Sequence, residues 1–154
     1  MMDGIDRAIL DALRANARAT FAELAREVGL SAPAVHDRVG KLEAQGVITG
    51  YHAAVAPESL GYSMTALVGL FLSDTADADV VADKLAEVSA VEDCWFVTGE
   101  ESFMVKLRVP DVVGLEASIR QLRRIRGVAR TRSTIVLSTR FEGRVRPAGL
   151  ADGP

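Results

Sequence analysis

Ser31, Pro33, His36, Asp37, Arg38 and Lys41 crowd into one short stretch, and their types suit a polyanion with readable edges. Arg and Lys pair phosphates, and an Arg can grip guanine through two parallel hydrogen bonds. His36 and the Ser31 hydroxyl can donate or accept at base edges or phosphates. Asp37 repels phosphate unless it accepts from a cytosine amino group. Arg18 and Thr20, just upstream, complete a candidate set for contacts to double-stranded DNA. The competing assignment for Arg38 is a surface ion pair with a carboxylate such as Glu43 or Glu23.

Such a set reads DNA only if a helix holds it outward. Thr20 and Glu23 have the spacing of a capping box, which predicts a helix from Phe21 with Leu24 and Val28 on its buried face. Gly29 suits a left-handed helix-ending position. Ser31 can cap a second helix with Pro33 in its first turn, where a missing N–H costs little. Val35, Val39 and Leu42 give that helix an apolar stripe. Pro33, Asp37, Gly40 and Lys41 then face outward, with His36 and Arg38 on the flanks. Asp6, Ile9, Leu10 and Leu13 predict an earlier helix ending near Asn16, which completes a three-helix core. Gly46-Val47-Ile48-Thr49-Gly50-Tyr51 alternates as a short wing strand would. Two helices joined by so short a turn present the second to a major groove.

The second half predicts strand, helix, strand, strand, helix, strand. The strands are Thr65–Ser73, Val91–Thr98, Phe103–Val109 and Val128–Phe141. The helices run from Asp77 to Ser89 and from a cap at Asp111 to Gly127. This βαββαβ order is the ferredoxin-like arrangement. The expected fold is therefore α+β, an N-terminal winged helix-turn-helix (1–51) and a C-terminal ferredoxin-like domain (64–142). A linker (52–63) joins them and a loose tail (143–154) follows. Ala66, Val68, Leu70 and Leu72 point to one face of the first strand, Leu67 and Phe71 to the other. Two helices cover one side of a four-stranded sheet, so the second apolar face predicts another subunit and a homodimer.

Particular runs carry a family resemblance. Ile9-Leu10, Asn16-Ala17-Arg18, Glu23-Leu24-Ala25, Val28-Gly29-Leu30-Ser31, Arg38-Val39, Lys41-Leu42-Glu43 and Gly46 through Tyr51 resemble the Lrp/AsnC family of feast/famine transcriptional regulators, over roughly residues 3 to 142. The resemblance implies a DNA-binding regulator whose dimers assemble further, often to octamers. It also implies an amino acid effector at the loop Gly99, Glu100, Glu101, Ser102, at a subunit interface. In the family an Asp of a Gly-x-x-Asp pattern commonly takes the ligand's amino group. Ser102 stands at that position here, and a neutral hydroxyl offers no charge-assisted bond to an ammonium. Glu100 or Glu101 can substitute, and Ser133 and Thr134 can add hydroxyls from a neighbouring subunit. Asp37 and Gly40 also depart from the basic or polar residues the family places there.

Composition removes other classes. Hydrophobic residues make up 49% and charged residues 25%, which fits a globular protein. The longest apolar run, Ala66 to Leu72, is too short to span a bilayer, and Met1-Met2-Asp3-Gly4 has no leader character, so a cytoplasmic chain is expected. Cys94 stands alone, without a disulfide partner or a zinc set. His36 and His52 are the only histidines, so no catalytic residue, metal or cofactor is expected. Residues 1–60 carry six Lys/Arg against eight Asp/Glu, so phosphate binding rests on where the charges sit. Nine Arg lie between Arg120 and Arg146, at 120, 123, 124, 126, 130, 132, 140, 144 and 146, opposed only by Glu142. They read as a solvated face paired with Asp79, Asp83 and Glu87, ahead of a second DNA path. Two other functions compete with regulation. One is a DNA-architectural protein without an effector. The other is an enzyme like the sirohaem decarboxylases, which resemble this two-domain fold but would need basic residues in a subunit cleft.

Overall fold

A computed structural model describes residues 2–143. The described residues divide into two compact units, one of 2–54 with 141–143, the other of Val55–Arg140. The tail expected from 143 lies, from residue 144 on, outside the described residues, and so do Arg144 and Arg146.

The first unit holds three helices, α1 (Gly4–Ala15), α2 (Phe21–Val28) and α3 (Ala32–Ala44). Each begins on a side-chain cap that satisfies an orphan N–H of its first turn. Asp3 and Asp6 form a full capping box on α1, and Thr20 and Glu23 another on α2. Ser31 Oγ accepts from the Ala34 amide at 3.4 Å. Gly29 takes the left-handed conformation (φ +72°) that turns the chain from α2 into α3. Ile9, Leu13, Leu24, Ala25, Val35 and Val39 close around one another as the core.

The expected wing strand is absent. No strand forms over 46–56. The amides of Val47 and Ile48 both donate to the Leu42 carbonyl, so they finish α3 and have nothing left for a ladder. Ile48 folds back onto the three-helix core, and the Tyr51 hydroxyl donates to Glu43 Oε1 at 2.8 Å. The linker also carries local structure, a 3-10 turn at Pro57–Leu60 that ends on Gly61 (φ +82°).

The second unit is a four-stranded antiparallel sheet in the order β2-β3-β1-β4, with β1 (Met64–Leu72), β2 (Val91–Phe96), β3 (Phe103–Val109) and β4 (Val128–Val136). Helices α4 (Ala78–Ala86) and α5 (Val112–Arg124) are capped by Asp77 and Asp111. Val81, Leu85, Leu115 and Leu122 pack onto Ala66, Val68, Leu70, Phe103, Val105 and Leu107. The last strand stops at Val136, not Phe141, because Val136 already faces Thr65 near the start of β1 and no partner strand continues.

The other sheet face mixes apolar and charged groups. Leu67, Phe71, Trp95 and Met104 lie there by register, and Trp95 is 47% exposed. Lys106 reaches Glu92 at 2.8 Å and Asp93 at 2.5 Å, and Arg108 reaches Glu92 at 2.7 Å.

Candidate DNA-reading helix and effector loop

With Val35, Val39 and Leu42 buried, α3 leaves Pro33, His36, Asp37, Gly40 and Lys41 exposed, as the apolar stripe predicted. Ser31 is exposed at its cap. The His36 ring meets Phe21 edge-on with centroids 5.0 Å apart, which ties the start of α2 to the second turn of α3. Its Nδ1 lies 3.5 Å from the Asp37 carboxylate. Arg18 is exposed beside α2, its amide held by Asn16 Oδ1 at 3.0 Å.

Two of the proposed DNA contacts are otherwise engaged. The Thr20 hydroxyl is used by Glu23, accepting from its amide at 3.2 Å and donating to its carboxylate at 3.0 Å. Arg38, half-buried, pairs with neither Glu43 nor Glu23. Its Nη1 donates to Asp3 at 2.8 Å and to Asp6 at 2.7 Å, across from α1. These bonds, from Asp6 first, push the Arg38 pKa up further, and the Asp6 amide with Arg38 holds the Asp3 carboxyl down. The pairing was missed because Asp3 and Asp6 are some thirty residues away in sequence; the D-x-x-D capping pattern was the signal that both carboxylates would gather at one helix end. A cleft of about 460 Å³ beside this pair is lined by Asp3, Asp6, Asp37, Arg38, Lys41 and Gln45.

The effector candidates fall on the sheet unit. Gly99 (φ +123°) and Glu100 are exposed in the β2–β3 loop. Ser102 is fixed through its backbone, its amide donating to the Leu70 carbonyl at 2.8 Å and its carbonyl accepting from Val97 at 3.0 Å. Glu101 lies flat across Gly69, where a Cβ would fall 2.6 Å from its Cγ, and its carboxylate pairs with Arg132. Ser133 and Thr134 pair with Val68 and Leu67 of β1, so their side chains leave opposite faces of the sheet. Within one chain, only Thr134 shares the face that carries Gly69 and Arg132.

Gly69 and Arg132, which meet Glu101, were not among the residues singled out from the sequence. A glycine inside an apolar strand signals a close approach, and here the approaching group is Glu101. Arg130 stacks on Phe71 at 3.8 Å from the ring centre. Among the described residues none of the arginines from Arg120 on pairs with Asp79, Asp83 or Glu87. Arg120 pairs with Glu116 of its own helix at 2.6 Å, and Glu87 is taken by Lys84 at 2.8 Å. Arg123 and Arg124 stand exposed beside a shallow cleft with Ile119. Burial pushes the Cys94 thiol pKa up, away from a reactive thiolate. Among the described residues no cluster of His, Cys, Asp or Glu could hold a metal, and no helix is long and apolar enough to cross a membrane.

Two family domains match the chain, the AsnC-type helix-turn-helix domain over residues 2–43 and the Lrp/AsnC ligand binding domain over residues 65–145. The transcriptional regulator LrpA of Mycobacterium tuberculosis is 40% identical over 143 residues, 93% of this chain and 95% of that protein. The regulatory protein AsnC of Escherichia coli is 32% identical over 96% of this chain and 97% of its own length, and its solved structure superposes with a TM-score of 0.87. The feast or famine regulatory protein from M. tuberculosis, solved in complex with L-methionine, is 38% identical, with a TM-score of 0.88 over 95% of this chain and 99% of that one. With both halves matched in this order and at these identities, the chain belongs to the Lrp/AsnC family of helix-turn-helix transcriptional regulators.

Proposed function

We propose that α3 reads an operator from the major groove and that the loop 99–102 receives an amino acid which changes how the reading heads are presented. The observation that carries the first part is the split of α3 into a buried stripe and an exposed polar side. Ser31, Pro33 and His36 sit at its N-terminal half, where a recognition helix meets base edges. Lys41 and Arg18 take phosphates, and Asp37 accepts from a cytosine amino group. Thr20 supports the site by capping α2.

The effector reading draws on the L-methionine complex of the M. tuberculosis relative. Ser102 lacks the carboxylate that would take an ammonium, and Glu101, one residue earlier, supplies one. Dimers form through the sheet face that carries Leu67, Phe71, Trp95 and Met104, and assemble further to octamers in the cytoplasm. The chain acts without catalysis.

Titration of full-length protein on DNA from upstream of its own gene, over a salt series, tests this reading. Removing one lysine–phosphate pair flattens the log–log salt slope by about 0.9, so Lys41→Gln should flatten it by about that much per engaged head. A folded oligomer with no salt-dependent binding to any promoter fragment would refute it. The neutral Ser102, with Glu101 already held by Arg132, favours a second reading, an architectural protein without an effector. Calorimetry with pooled amino acids decides between them, absence of heat favouring the architectural role.

A further inference from the structure

The four carboxylate oxygens of Asp3 and Asp6 are all in use. Asp3 Oδ1 accepts from the Asp6 amide at 2.8 Å, and Asp6 Oδ2 accepts from the Asp3 amide at 3.0 Å. The two oxygens left over, Asp3 Oδ2 and Asp6 Oδ1, both accept from Arg38 Nη1. One guanidinium nitrogen therefore bridges the cap of α1 and the middle of α3. The Asp6 side chain is only 13% exposed and that of Arg38 31%.

A DNA phosphate that drew Arg38 Nη1 away would have to break two charge-assisted bonds, and one that approached its Nε or Nη2 would come up against Asp3, Asp6 and Asp37. The first would also leave two carboxylates facing a polyanion, with Asp37 lining the same cleft. The exposed cation on that side of α3 is Lys41. We infer that Arg38 is a positioning residue of the reading head, touching neither base nor phosphate, and that its bridge to Asp3 and Asp6 fixes the rotation of α3 about its own axis.

This inference rests on the assignment of α3 as the DNA-reading helix. Rotation matters because side-chain tips lie about 5–6 Å from a helix axis, so a twist of about 15° carries them about 1.5 Å. A base-edge hydrogen bond does not survive that displacement. A long lysine reaching a phosphate absorbs it. Release of the clamp therefore erodes discrimination between sequences while the electrostatic part of binding persists.

The test compares a duplex from upstream of the protein's own gene with a random-sequence duplex of equal length, each over a salt series, using full-length protein. Arg38→Gln should lower the ratio of the two affinities at least tenfold and leave the salt slope unchanged. Asp3→Asn keeps the cap, since Asn caps a helix as well as Asp, and so it folds even if Arg38→Gln does not. It should lower the ratio in the same direction although it removes a negative charge. The two changes together should cost little more than Arg38→Gln alone. Lys41→Gln serves as the control that flattens the slope. A flattened slope in Arg38→Gln, or tighter specific binding with a steeper slope in Asp3→Asn, would make Arg38 a DNA contact and overturn the inference. Wild-type protein without salt-dependent binding to either duplex would instead overturn the assignment of α3, and this inference with it.

Discussion

Leu24→Ala should melt the reading head and leave the sheet unit standing. Leu24 is 1% exposed and packs among Ile9, Leu13, Ala25, Val35 and Val39. Removing its three outer carbons forfeits roughly 2.4 kcal/mol of transfer free energy at about 0.8 kcal/mol each. The cavity left behind brings buried Leu→Ala changes to about 2.7–5 kcal/mol. A unit of this size holds about 3–8 kcal/mol in total, at about 0.05–0.15 kcal/mol per residue. The change therefore removes about a third or more of what keeps α1, α2 and α3 together. At about 4–8 °C per kcal/mol for a small domain, the head's Tm should drop by more than about 10 °C. The core of the sheet unit shares no side chain with that of the head, so its own transition should stay in place. Scanning calorimetry of wild type and variant reads both transitions, and DNA binding should fail at a temperature where the sheet is still folded. A single transition that shifts as a whole, or a head transition moved by less than about 2 °C, would refute the reasoning.

Gly69→Ala should lift Glu101 off the sheet, since the new methyl falls against its Cγ. Stability should change by less than about 1 kcal/mol, because the gain of replacing a strand glycine offsets an ion pair whose Arg132 side is open to solvent, while amino acid affinity by calorimetry should fall at least tenfold; unchanged affinity would remove Glu101 from the site. Burial tends to raise the Glu92 pKa, but its bonds to Arg108 and Lys106 prevail and hold it below the usual 4.5. A depressed carboxylate adds stability that is present above its unfolded pKa and lost as pH falls through the folded one. The sheet unit's Tm should thus decline on acidification below about pH 4.5, and Glu92→Gln should flatten that decline; an equally steep profile in the variant would count against it. Burial, and then the Glu43 carboxylate, push the Tyr51 phenol up to about 12. The stability it lends is present below pH 10 and lost as pH climbs from there towards 12. In a Tyr62→Phe background the phenolate absorbance should rise near pH 12, and Glu43→Gln should bring it lower; a midpoint near 10 in the parent would disprove the contact.

Local chemistry made the helices and strands readable. The capping pair Thr20–Glu23, the cap at Ser31, the left-handed Gly29 and the stripe Val35, Val39, Leu42 all act within one or two turns, and each stands where its spacing predicts. The strand Phe103–Val109 likewise shows strict alternation and forms as read. What failed depended on partners distant in sequence. The segment 46–51 alternates like a strand, but its first free amides finish α3. The partners of Arg38 went unread because nothing in α3 itself reveals Asp3 and Asp6. Gly69, Glu101 and Arg132 belong to three separate segments, and only the register of β1 with β4 brings them together. The effector loop, Glu101 included, was placed by resemblance, while the contacts of Glu101 with Gly69 and Arg132 are evident only from the folded sheet.

The pairs on the open sheet face have a consequence for assembly. Lys106 and Arg108 are answered by Glu92 and Asp93 within the same molecule, so these four charges sum to zero, while Arg132 meets Glu101 and Arg130 lies over Phe71 elsewhere on the face. An identical set brought against these four meets no net repulsion from them and needs no complementary set of opposite sign. Self-association there can proceed with these pairs already balanced, leaving the aromatic and aliphatic side chains around them to decide how tightly the copies hold.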